Sequence, residues 1–171
     1  MKQCSCKEKI RWFSSVLILF GSLYALYRWW FNPWHRCWGA TTDEVKRELP
    51  GDKRLSSPLY NTTRAIQIAA SPAQVWQWLI QLGQGRGGFY SYDFLENWMG
   101  LDIHSRDEIV PEYQNVHVGD VIPLEPQGSG YTVIELQPSR LLLLYTDGNG
   151  TGEINRMFRE IGVATTWAFV L

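Results

Sequence analysis

The segment Ser71-Pro72-Ala73-Gln74-Val75-Trp76-Gln77-Trp78-Leu79-Ile80-Gln81-Leu82-Gly83-Gln84-Gly85-Arg86-Gly87-Gly88-Phe89-Tyr90-Ser91-Tyr92-Asp93 holds more folding information than any other part of this chain. Its first four residues carry three helix-start signals: a Ser N-cap, Pro at the first helical position and Gln at the capping-box position. Val75, Trp76, Leu79 and Leu82 follow at helical spacing, so a helix is predicted over Pro72–Leu82, ended by Gly83. A glycine-rich loop leads to a second short helix, predicted over Tyr92–Met99, with Phe94, Leu95 and Trp98 apolar and Gly100 closing it. Upstream, Arg64, Ile66 and Ile68 alternate with smaller neighbours, which predicts a first strand over Thr63–Ala69.

Downstream the pattern changes to strands. Val116–Asp120 turns into Val121–Leu124. Tyr131–Leu136 and Arg140–Tyr145 flank Gln137-Pro138-Ser139, a hairpin signal. Thr146–Glu153 reads as a Gly/Asn/Asp-rich loop, and Ala164–Leu171 as another strand. Strand, helix, short helix and then a run of strands argue for an α+β fold with an antiparallel sheet. The chain stops at Trp167-Ala168-Phe169-Val170-Leu171, in mid-strand and without a polar tail, which predicts a sequence truncated at its C-terminus.

Composition narrows the function. The 171 residues are 45% apolar and include nine tryptophans, too hydrophobic for a disordered chain. Residues 1–11 hold Lys2, Lys7, Lys9 and Arg11 against Glu8, whereas residues 60–171 hold six Arg against twelve Asp or Glu. No lysine follows Lys53, so the acidic body is a poor match for nucleic acid and has no Schiff-base lysine. Cys4, Cys6 and Cys37 all lie near the N-terminus. The body therefore has no internal disulfide, no thiolate nucleophile and no Cys-based zinc site. Cys4 and Cys6 read first as free thiols in a tail, ahead of lipid attachment or a metal pair.

Sixteen residues between Arg11 and Arg28 carry no formal charge. Trp29, Trp30 and Phe31 extend that apolar run, and Arg28 can snorkel to an interface. From Trp12 to Trp30 the helix would measure about 27 Å, near the thickness of a bilayer core, with tryptophan at both edges. The expectation is a single-pass transmembrane anchor over residues 12–31, stopped by Pro33. A cleaved signal peptide is disfavoured because no A-x-A-like site follows, and an interfacial helix because the run is apolar all round. The basic tail weakly favours the N-terminus inside, although Arg28, Arg36, Lys46 and Arg47 nearly cancel that bias. The expected organisation is a basic tail over 1–11, the anchor over 12–31, a linker over 32–62 and a folded domain over 63–171.

The stretch Val75–Asp93, and above all Gly88-Phe89-Tyr90-Ser91-Tyr92-Asp93, resembles one group of bacterial SRPBCC, or START-like, proteins, often described as polyketide cyclase/dehydrase-like. Leu95-Glu96-Asn97, Leu101-Asp102-Ile103-His104-Ser105, Gly119-Asp120, and upstream Trp38-Gly39-Ala40-Thr41 with Leu49-Pro50-Gly51-Asp52 continue the resemblance, over about residues 38–171. It implies a helix-grip fold: a curved antiparallel sheet around a long C-terminal helix, with two short helices after the first strand. The last strands and that helix are missing from this chain. It also implies a cavity for a hydrophobic or amphipathic small molecule, with no settled reaction; no cofactor is expected.

The candidate chemistry follows from the same stretch. Gly83-Gln84-Gly85-Arg86-Gly87-Gly88 satisfies G-x-G-x-x-G but follows a helix, whereas a dinucleotide site needs it after a strand. It reads as a tight loop, with a second reading in which Arg86 and the loop amides hold an anionic or carbonyl group. Tyr90, Tyr92, Asp93 and His104 are the candidate catalytic residues for proton transfer of the cyclase/dehydratase kind. Their structural alternative is packed rings, a helix cap and a hydrogen-bonded loop histidine. Asp102, His104, Asp107 and Glu108 are too thin for zinc, and no metal is expected. Trp76, Gln81, Arg86, Phe89, Tyr90 and Trp98 are the residues expected to line a ligand cavity. The leading expectation is a membrane-anchored binder of a hydrophobic small molecule, with the bilayer and that ligand as partners. The alternatives are a cyclase/dehydratase-type enzyme and an interaction module using an open sheet face. No protein partner is identified by sequence.

Overall fold

The computed structural model describes residues 6–171, with side chains from Arg11 onward. Cys4, the Cys6 thiol and the lysine side chains of the tail lie outside the described residues. The chain forms two units, and each is described by itself.

The first unit comprises the described part of Met1–Arg47 together with Leu59–Gln67. Helix α1 (Cys6–Leu26) runs into one wide π turn, Tyr27–Phe31, and on into α2 (Asn32–Arg36). Pro33 therefore does not stop the helix as expected. A proline inside a helix has no N–H to give and its ring presses on the carbonyl four residues back. The wider turn relieves both, with the Asn32 N–H bonding the Tyr27 carbonyl. The helical path ends instead at Cys37, whose N–H bonds the Trp34 carbonyl at 3.2 Å. Leu17, Ile18, Leu19, Phe20, Trp29 and Trp30 are all exposed. Among the described residues no helix is long and apolar enough to cross a membrane.

Helix α3 (Thr42–Lys46) begins at a capping box. The Thr41 N–H donates to Glu44 Oε2 at 2.7 Å and the Glu44 N–H to Thr41 Oγ1 at 3.3 Å. The strand predicted over Thr63–Ala69 does not form. Its alternate N–H groups are taken by a turn instead: Thr63 donates to the Arg36 carbonyl at 3.1 Å and Ala65 to the Trp38 carbonyl at 3.2 Å. Ile66 and Ile68, the apolar face of that expected strand, are exposed.

The second unit comprises Glu48–Pro58 and Ile68–Leu171. It is α+β. Helices α4 (Pro72–Ile80) and α5 (Asp93–Trp98) precede an open antiparallel sheet in the order β1 (Val121–Pro123), β2 (Gly130–Gln137), β3 (Leu141–Thr146) and β4 (Thr165–Val170). A bulge at Ile134 offsets β2 against β3, since Val133 faces Leu144 while Glu135 faces Leu143. Such an extra residue bends its strand. Helix α6 (Glu153–Glu160) fills the β3–β4 connection and was not legible as a helix in sequence. It starts where the buried Glu125 carboxylate accepts the Ile154 N–H at 3.1 Å, a favourable place for negative charge.

The core joins Trp76, Ile80 and Leu82 to Val133, Leu142 and Leu144. All four leucines of Leu141–Leu144 are buried, so β3 is covered on both faces. Leu142 and Leu144 meet α4 in the core. On the other face Leu143 lies under Gly51, where even a Cβ would come within 2.7 Å of its side chain. The Arg54 guanidinium sits 4.1 Å from the Tyr145 ring centre. Glu48–Pro58 is thus a strap on the sheet and belongs to the folded unit, not to a linker running to residue 62.

Candidate functional site

The capping box of α4 forms as the sequence requires: the Ser71 N–H donates to Gln74 Oε1 at 2.9 Å and the Gln74 N–H to Ser71 Oγ at 3.3 Å. This fixes the helix rotation that turns Trp76 and Ile80 into the core. Val75, Trp78 and Leu79 are left lining an apolar hollow of about 200 Å³. Trp167 and Phe169 of β4 form the facing wall, two positions apart on one strand face, and Leu82, Phe89 and Tyr90 complete it. The Trp167 and Phe169 rings pack at 4.6 Å, and Trp78 meets Tyr90 edge to face at 5.6 Å.

The Tyr90 ring lines this hollow, and its hydroxyl is turned to the buried Gln81. Gln81 Nε2 donates to Tyr90 Oη, so the phenol is an acceptor there and keeps its own proton to donate. Tyr90 sits at φ 55°, in the left-handed region that a bulky residue seldom occupies. It is held there from both sides. Gln81, fully buried, also donates to the Glu108 carbonyl at 3.1 Å and accepts from the Val110 N–H at 3.2 Å. The Tyr90 N–H donates to Ser105 Oγ at 3.2 Å.

Ser105 in turn is bound by Asp93, which accepts from both the Ser105 N–H and its hydroxyl at 2.7 Å. The Ser105 amide, then its hydroxyl, hold the Asp93 carboxyl below the usual carboxylate range; burial opposes them and His104 adds a smaller attraction. Asn97 clamps the same loop from α5, donating to the Ile103 carbonyl at 2.8 Å and accepting the Ile103 N–H at 2.5 Å.

The four expected catalytic residues do not converge. Tyr90 is bound to Gln81, Asp93 to Ser105, and His104 to Asp102 at 3.0 Å with both side chains exposed. Tyr92 is 70% exposed and meets Phe94 edge to face. Of the expected ligand-lining residues, Phe89 and Tyr90 reach the hollow. Trp76 is in the core and Trp98 is 83% exposed and does not line the hollow. Gln81 braces backbone.

Arg86 closes the helix end. Its side chain donates to the carbonyls of Ile80 at 3.0 Å, Leu82 at 3.1 Å and Tyr113 at 3.0 Å. The Ile80 carbonyl is one that the α4 C-terminus leaves unpaired, and the Tyr113 bond ties the helix end to the 111–113 turn. Burial pulls its guanidinium below the ordinary pKa, with Tyr113 and Asp120 opposing. The glycine-rich loop is a helix stop, with Gly83 and Gly88 bridged to each other and both at positive φ.

Sequence reasoning missed Trp78, Trp167 and Phe169. Their signal was present: Trp78 is one helical step from the core residues, and Trp167 and Phe169 alternate with Ala168. Ser105 was missed because it lies inside an acidic run that drew a metal reading. Among the described residues no group of three or more His, Cys, Asp or Glu side chains converges to hold a metal ion. Compared with known proteins, the chain matches no family model and no solved structure.

Proposed function

We propose that the chain is a membrane-tethered binder of a hydrophobic small molecule bearing one hydrogen-bond acceptor. The observation that carries this reading is the apolar hollow between α4 and β4, with a single phenol at its edge. Apolar walls with one placed polar group suit a ligand that is mostly hydrocarbon and is oriented by an oxygen. The START-like resemblance points the same way, and its order of two short helices before antiparallel strands agrees with α4, α5 and β1–β4. The first strand of that pattern does not join the sheet. The tether is the helix carrying Leu17–Phe20 and Trp29–Trp30, whose exposed apolar side chains suit lipid better than water.

The test is equilibrium binding of a fluorescent long-chain fatty acid to the full chain in nanodiscs. Leu79→Trp, which fills the hollow, is expected to weaken binding more than about tenfold while the chain stays folded, since about 1.4 kcal/mol lost is tenfold. Unchanged affinity in that folded variant would sink the reading. Cysteine labelling from each side of the nanodisc, at Cys37 and at an introduced Ser14→Cys, tells a spanning helix from one lying in the interface.

A further inference from the structure

A second cavity, of about 330 Å³, lies wholly within the first unit. Its lining includes Arg28, Asn32, Arg36, Asn61, Thr62 and Thr63, and no Asp or Glu. Arg36 is fixed there. Its Nε and Nη2 donate to the Asn61 carbonyl at 2.8 and 2.5 Å, and its guanidinium stacks on Tyr60 at 4.6 Å. Neither contact neutralises its charge. The Arg28 side chain makes no hydrogen bond or ion pair among the described residues. Of α3 only Val45 lines the cavity, and the Glu44 carboxylate is turned back onto Thr41, whose N–H and hydroxyl donate to it at 2.7 and 2.8 Å. Two uncompensated guanidiniums with hydroxyl and amide donors form a site for a tetrahedral oxyanion. The volume falls in the range of small-ligand pockets, about 300–1,000 Å³.

The surroundings choose among oxyanions. Trp29, Trp30 and Trp34 stand exposed on the same helical path, at 77%, 70% and 56%. Tryptophans beside a phosphate-type site are what the headgroup layer of a bilayer accommodates. Resting on the membrane reading above, we propose that the Arg28–Arg36 cavity seats the phosphate of an anionic phospholipid.

Flotation of the full chain with vesicles tests this, using phosphatidylcholine alone and equimolar phosphatidylcholine and phosphatidylglycerol. The chain is expected to float with both and to bind the anionic vesicles more tightly. Arg28→Gln is expected to weaken anionic-vesicle binding about thirtyfold, the loss of charge-assisted hydrogen bonds. Lys7→Gln, the same charge change in the tail, is expected to weaken it about fivefold through surface potential alone. Equal losses from the two substitutions overturn the site and leave the membrane reading intact. Failure to float with either vesicle overturns the membrane reading and the site with it. Inorganic phosphate, compared with chloride at equal ionic strength, is expected to leave binding unchanged; specific release by phosphate overturns a lipid as the source.

Discussion

Ser105 joins two loops through one hydroxyl and one amide, and the wall of the hollow depends on it. Through Asp93 it holds the start of α5, and through the Tyr90 N–H it holds a residue at a costly φ. Ser105→Ala is expected to raise the Asp93 pKa toward its unfolded value of about 3.9, read by carboxyl-carbon NMR titration. The sign for stability follows from linkage. Asp93 has a depressed pKa when folded, so its contribution is fully present above the unfolded value and is lost as pH falls through the folded one. Wild type should lose this increment below about pH 4, and Ser105→Ala should show a flatter acid limb in urea unfolding. Tyr90→Phe removes the phenol and is expected to weaken an oxygen-bearing ligand by about 0.5–1.5 kcal/mol while leaving a pure hydrocarbon unaffected. Calorimetry with a fatty alcohol and the matching alkane separates the two.

Strand β3 shows what the sequence could and could not reveal about elements. Leu141-Leu142-Leu143-Leu144 has no alternation, and a continuous apolar run signals a strand buried on both faces. What covers the second face was not legible, because the Glu48–Pro58 strap is held by a close approach at Gly51 and a stacked Arg54, neither of which leaves a periodic pattern. Leu142→Ala and Leu143→Ala are both expected to cost about 2–5 kcal/mol in urea unfolding. A cost for Leu143→Ala within about 0.5 kcal/mol, as at a surface site, would show the strap to be loose. The start of α4 was legible, since Ser71 caps as its spacing requires. Ser71→Ala should cost about 1 kcal/mol with an unchanged denaturant slope. Helix α6 was hidden because its start is set by Glu125, distant in sequence, and by Gly152 packed against Ser129. The site was half legible for the same reason: Phe89 and Tyr90 could be picked out near the hollow, but partners such as Ser105 are fixed by tertiary contacts.

At the scale of the molecule, exposed side chains such as Phe20, Trp29 and Trp30 form an apolar surface of the kind that marks an interaction site. The full chain is expected to sediment with membranes and to resist extraction by high salt, because apolar burial is not screened as charge contacts are. Release by salt alone would show that the basic tail, and not the helix, holds it there. The hollow and the helix make separate demands, so Leu79→Trp should leave sedimentation with membranes unaltered.

The wide turn at Tyr27–Phe31 also sets angular phase. Arg28 and Arg36 are eight positions apart, which at about 100° per residue would place them about 80° apart around an unbroken α-helix. A π turn takes up one extra residue, so the pair behaves as if seven apart and falls within about 20° of alignment. Pro33 therefore acts as a vernier. Pro33→Ala is expected to let the coil anneal and swing the two cations out of line, and the same change with Trp30 deleted to restore their alignment, as read by flotation with the anionic vesicles.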